Sequence, residues 1–280
     1  MTNSLSASTA ATPQDRILPL TRIVAALVVP FLLLAFLILY LYPEQSGQRF
    51  AWEVRPAMAA RFIGAGYLGG AYLFLRTIVG RRWHEVAAGF LPVTTFTIGM
   101  LLATIVHWDR FDLHHFPFQL WLVLYLITPV LVPAIWLYNR RQDPGTVEAG
   151  DAWTPAVARW ALRLLGGFLM LFAVGGFLFP LILIAIWPWD LSPLMARLLA
   201  GWLALLGVGG LVIGRERRWS GWRVGLQSIA IWHVLVLLGA VLSRDDFHDG
   251  LLNWYLVSVV LVLAGMALLY ARMALRDASA

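Results

Sequence analysis

The sequence predicts an all-α integral membrane protein: eight transmembrane helices in a tandem 4+4 parallel repeat, with a pseudo-two-fold axis along the membrane normal. Three observations predict it. Sixty per cent of the residues are hydrophobic and 13% charged, with a mean hydropathy of +0.76, whereas a soluble domain carries about 25% charge. The apolar residues come in runs long enough to cross a hydrocarbon core, which takes about 20 residues at 1.5 Å each. And one stretch is written twice, as FAWEVRPAMAARFIG at 50–64 and WPWDLSPLMARLLAG at 187–201.

Taken in order, the head MTNSLSASTAATPQD is rich in Ser, Thr and Ala and reads as part of a disordered N-terminus over 1–17. The run 21–42 exceeds a signal-peptide core and ends in YLYPEQ, not in a small-residue cleavage site, so it is expected to remain as the first span. Further apolar windows fall at 56–78, 84–106, 117–139, 161–186, 193–213, 224–243 and 251–271. VTTFT at 93–97 dilutes the third. Pro129 and Pro133 should kink the fourth, and Pro180 should bend the fifth. Ala60-x-x-x-Gly64, Gly66-x-x-x-Gly70 and Gly210-x-x-x-Gly214 permit close helix contact. A polar linker at 140–158 divides repeat 1 (18–139) from repeat 2 (159–273), and 274–280 forms a short tail.

Charge sets the expected direction. All 21 basic residues are Arg. Fifteen fall with seven acids on one side of the predicted topology, a net of +8; six fall with eight acids on the other, a net of −2. The positive-inside rule then puts both termini in the cytoplasm of a multi-pass protein of a bacterial cytoplasmic (inner) membrane. The pI near 10.2 reflects that bias and calls for no nucleic-acid partner. Absent cysteine excludes disulfides, thiolate catalysis and Cys-ligated metals, and absent lysine excludes a Schiff base.

In the repeated stretch Trp52 falls on Trp189, Glu53 on Asp190, Pro56 on Pro193 and Met58 on Met195. The echo continues. Arg-Arg-Trp recurs at 81–83 and 217–219, HWDRFD at 107–112 answers SRDDFHD at 243–249, and WLVLY at 121–125 answers WYLVS at 254–258. Four spans per copy means both copies enter the bilayer in the same direction. The indoles of Trp52 and Trp189 suit the headgroup level, the prolines suit a first helical turn, and Glu53 and Asp190 suit a helix N-terminus. Arg61 and Arg197, about one turn inside their helices, are expected to snorkel outward, with Glu53, Asp109, Asp190 and Asp245 as available partners.

Two sets of site residues follow. Mid-membrane, His233 with Gln227 and Ser228 on the seventh span, and Thr94, Thr97 and Thr104 on the third, mark polar faces that would line a central cleft, joined by Tyr125, Asn253 and Ser258. Arg61, Arg197, Glu53 and Asp190 would stand at its mouth. In the outward loops, His107, Asp109, Asp112, His114 and His115, with Asp245, Asp246, His248 and Asp249, have the imidazole and carboxylate chemistry of a divalent-metal site or a proton relay. No residue pair carries a known metal spacing. Nucleotide-binding loops, a Gly-x-Ser-x-Gly elbow, paired haem histidines and metalloprotease motifs are absent from the sequence.

The leading functional expectation is binding or transport of a small solute or ion through a cleft between the repeats, rather than catalysis. A membrane-embedded enzyme or metal site using the outward loops is the alternative, and a non-catalytic subunit or sensor the third.

Overall fold

The computed structural model describes residues 14–147 and 151–277. Among them eight helices are long and apolar enough to span a membrane, and the regular structure is all helical apart from three isolated bridges. We number the spans α1 Pro19–Phe36, extended by a π-helical turn at Leu37–Leu41; α2 Ala57–Val79; α3 Phe90–Val106; α4 Phe116–Asn139; α5 Ala156–Leu178; α6 Pro193–Ile213; α7 Ser220–Leu242; and α8 Leu251–Asp277. A one-turn helix, His84–Ala87, leads into α3.

Local chemistry explains the boundaries. Pro19 opens α1 and Pro193 opens α6 at first-turn positions, where a missing N–H breaks no hydrogen bond. The Ser192 hydroxyl caps α6 by accepting from the Met195 N–H at 3.2 Å. Pro129 and Pro133 lie within one continuous α4. Pro180 behaves differently from its expected bend: α5 stops at Leu178, Phe179 is non-helical, and a separate short helix, Pro180–Ile186, begins at the proline. The ring disfavours the α conformation in the residue before it, and at Phe179 that preference prevails, so the fifth window splits.

The predicted disordered head needs a second correction. Residues 1–13 of it lie outside the described residues, but 14–17 are packed. Asp15 and Ile17 are buried, and Arg16 forms a backbone bridge with Arg82. The Asn139 side chain holds this segment: its Oδ1 accepts from the Leu18 N–H and the Thr21 hydroxyl, while its Nδ2 donates to the Arg16 carbonyl. Burial behind Asn139 outweighs the polar composition.

Packing follows a consistent pattern. α1 lies on α2, and α5 on α6; α2 packs against α7, and α3 against α6; α4 flanks α3, and α8 flanks α7. The central members α2 and α6 have 61% of their apolar window buried, against 6% for α8, so α2, α3, α6 and α7 form the interior and the others the rim. Small residues allow the closest approaches. A Cβ at Gly64 would sit 2.9 Å from the Tyr40 backbone N, and one at Gly210 would sit 2.7 Å from the Leu162 carbonyl. The interior is aromatic, with Trp202 ringed by Tyr67, Phe96 and Trp232 at centroid distances of 5.5, 4.3 and 4.9 Å.

Candidate functional site

The arginine-poor end carries the loops with the densest polar chemistry. Trp52 and Trp189 are enclosed there among aromatic rings of the protein itself. Trp52 packs edge-on to Phe111 and Trp121, and Trp189 edge-on to Phe247 and Tyr255. Glu53 and Asp190 do not cap the helices they precede. Glu53 pairs with Arg55 at 2.6 Å and Asp190 with His248 at 3.2 Å. The cap of α2 comes from across the bundle, where the Asp246 carboxylate accepts from the Met58 N–H at 2.7 Å.

Arg61 and Arg197 likewise take partners the sequence did not indicate. Arg61 donates to the Ser243 hydroxyl; Arg197 donates to the Phe177 carbonyl at 3.0 Å and to His107 Nε2 at 2.8 Å. Among the described residues neither lies within salt-bridge distance of a carboxylate. Accepting from Arg197 requires an unprotonated Nε2. Partial burial, and then the Arg197 cation, hold His107 below its ordinary imidazole range, with the Asp109 carboxylate pulling the other way. The folded state therefore resists a proton that the unfolded chain accepts below about pH 6.5. Stability should decline on acidification through that range, and the decline should shrink in His107→Gln, as read by thermal unfolding in detergent at a series of pH values.

The other loop residues are engaged locally. Asp112 accepts from the His114 N–H, His115 Nε2 meets the Phe50 carbonyl at 2.9 Å, Asp109 pairs with Arg110 and Asp245 with Arg244, and Asp249 is exposed. Among the described residues no three His, Cys, Asp or Glu side chains converge to hold a metal ion. What does converge is a cavity of about 340 Å³, bounded by Trp52, Glu53, Arg55, His107 and Arg110 on one side and by Ser192–Met195 on the other.

The mid-membrane residues do not share one cleft. His233 lines a cavity of about 200 Å³ with Trp232, Tyr255 and Ser258, its Nδ1 against the Ile229 carbonyl at 2.8 Å. Thr94, Thr97 and Thr104 donate back to carbonyls of their own helix, and Thr104 also accepts from the Trp121 indole. Gln227 ties α7 to Tyr72 and Tyr270, Ser228 donates to the Gly69 carbonyl, and Tyr125 meets the Tyr67 hydroxyl at 3.0 Å.

At the arginine-rich end lies a cluster that the sequence reading missed. Asp15 accepts from the His84 N–H and from His84 Nδ1; His84 Nε2 meets the Ser220 hydroxyl at 2.8 Å; Ser220 N–H and Oγ both donate to Asp151. His84 and Ser220 stand at the entries to α3 and α7. A signal was present. The two pairs are each 69 residues apart, and His84 and Ser220 directly follow the matched tryptophans Trp83 and Trp219. The order Asp–His–Ser is that of a nucleophile relay, but Ser220 is 3% exposed, its proton is donated to Asp151, and none of the cavities above touches it. Next to it, Arg218 forks onto Asp143 at 2.7 and 2.9 Å and onto Glu216 at 2.9 and 2.7 Å. Burial alone would raise both carboxyls; the Arg218 hydrogen bonds outweigh it and hold both below the ordinary carboxylate range. No family model, curated protein or solved structure matches the chain.

Proposed function

We propose that this membrane protein binds or moves a small anionic solute at the cavity on its arginine-poor end, where two four-helix repeats meet. The carrying observation is the composition of that cavity. It is about 340 Å³ and lined by residues of both halves, with Arg55, Arg110 and one carboxylate, Glu53, as its charged lining. Arg55 is held by Glu53 and Arg110 by Asp109, both exposed acids, and exposed pairs are weak enough for a ligand to displace.

The repeat itself is supported by matched contacts. Arg16 bridges Arg82 as Trp153 bridges Arg218; Arg61 reaches Ser243 at the end of α7 as Arg197 reaches His107 at the end of α3; and α2 packs on α7 as α6 packs on α3. A parallel duplication relates every one of these pairs by the same exchange of halves. The arginine asymmetry supports placing the cavity outward and both termini in the cytoplasm.

Two experiments test the reading. In purified protein titrated with inorganic phosphate and small carboxylates, Arg110→Gln and Arg55→Gln should each weaken binding about tenfold, the loss of roughly 1.4 kcal/mol for one charge-assisted contact; unchanged affinity in both would overturn the site. A periplasm-dependent phosphatase fused in the 140–158 linker should be inactive, and strong activity there would reverse the topology.

A further inference from the structure

We infer that the Asp15–His84–Ser220–Asp151 chain is a proton-binding site, holding one proton more than a neutral imidazole and two carboxylates supply, and using it to fasten the two halves together at the arginine-rich end. The inference is independent of the outer cavity and rests on a count of donors and acceptors.

Three links need three hydrogens. The Ser220 hydroxyl has one, and it goes to Asp151. Its oxygen must then accept from His84 Nε2, 2.8 Å away, which therefore bears a hydrogen. Nδ1 faces the Asp15 carboxylate, an acceptor, and bears another. A neutral imidazole carries only one. With a hydrogen on each ring nitrogen, the extra proton sits on the imidazole and sets the net charge of the four groups at −1 instead of −2. With Asp15, His84 and Ser220 all less than a tenth exposed, water is poorly placed to fill a missing link.

The surroundings carry charges of both signs. Asp143, from the segment after α4, is close enough to feel the imidazole, and Glu216 lies beside it on the same Arg218 fork. Glu85, on the His84 turn itself, stands 3.9 Å from Arg76 of α2 and 3.8 Å from Arg223 of α7. Arg82 enters the site through its backbone bridge to Arg16. Acids and cations are interleaved around the site, with Asp15, Asp143, Asp151, Glu216 and Glu85 beside Arg16, Arg218, Arg76, Arg223 and Arg82. Losing the proton from Nε2 leaves Ser220 with one hydrogen for two acceptors. In that Nδ1–H tautomer either its tie to His84, which joins the halves, or its tie to Asp151 must break; in the Nε2–H tautomer both Ser220 ties survive and the bare Nδ1 lone pair is set against the Asp15 carboxylate instead.

Amide substitution separates this proposal from a merely structural network, because an amide brings the missing hydrogen covalently. In Asp151→Asn, the Asn nitrogen donates to Ser220, Ser220 donates to Nε2, and His84 becomes a neutral Nδ1–H tautomer. In Asp15→Asn the polarity reverses and the neutral tautomer is Nε2–H. Nitrogen-15 spectra of histidine-labelled full-length protein in detergent at pH 7, with the His84 signals identified by their loss in His84→Gln, should show both ring nitrogens protonated in the wild type. Each Asn variant should lose one bound proton and give opposite tautomers. A neutral His84 in the wild type, or an imidazolium persisting in either variant, overturns the proposal. Should an Asn variant fail to fold, the wild-type spectrum alone decides.

Discussion

Arg218→Met is expected to destabilise the fold by about 3 kcal/mol, the scale of stranding buried carboxylates whose partner has been removed. The guanidinium is 6% exposed and makes four hydrogen bonds, two to Asp143 and two to Glu216, whose side chains are 26% and 21% exposed. Removing it leaves two partly dehydrated negative charges side by side. It also removes the tie from Asp143, early in the linker, to the turn before α7, since Asp143 has no other salt-bridge partner among the described residues. Arg218→Lys should recover only part of the loss, because an ammonium cannot fork onto two carboxylates at once. The acid response gives an independent readout. Both carboxyls are held low in the folded state, so their contribution is complete above about pH 4.5, the unfolded carboxylate range, and disappears as pH falls through the lowered folded values. Thermal unfolding of the wild type should show that acid loss, and Arg218→Met should not. Equal stability of the two proteins at pH 7 would show that the fork carries no net weight.

The second large effect is expected at a glycine. Gly166→Leu should part α5 from α6 and destabilise by roughly 3 kcal/mol, the upper end for overpacking. A Cβ at Gly166 would lie 2.6 Å from the Gly207 carbonyl oxygen and 2.8 Å from the Leu211 nitrogen. Those are backbone atoms, so no rotamer change relieves the clash and the helices must separate. In lipid no hydrophobic force presses them back, since close packing itself supplies the attraction. The neighbour provides the control. Nothing lies within 4 Å of a Cβ at Gly167, so Gly167→Leu should leave the unfolding temperature unchanged. Because the chain has no cysteine, a disulfide between cysteines placed on α5 and α6 reports the separation directly: it should form in the parent and in Gly167→Leu and fail in Gly166→Leu. Equal crosslinking in both glycine variants would contradict the packing described.

The spans were legible because a hydrocarbon core imposes a length and a composition on each helix independently of its neighbours. The windows at 56–78, 84–106 and 193–213 fall within a residue or so of the observed helices. The one misread span, 161–186, split at a local rule, the restriction that Pro180 places on Phe179. The glycine contacts at Gly64 and Gly210 were foreseeable for a related reason, since a small residue permits close approach whatever its partner is. Partners themselves were not foreseeable. Trp52 and Trp189 matched a headgroup belt by their place before a helix, and only the folding of their loops over them turned them inward. Arg197 had four acids within reach by sequence and took a carbonyl and a histidine instead.

Sequence alone determined that the chain has eight segments fit to cross a membrane and where those helices lie, because each depends on transferring one segment between water and lipid. Tertiary structure decided which polar groups meet. Asp15, His84, Ser220 and Asp151 come together only when α2 packs on α7 and α3 on α6, and a hydrogen bond over 2.8 Å is set by that placement of backbones, not by the composition of any one helix.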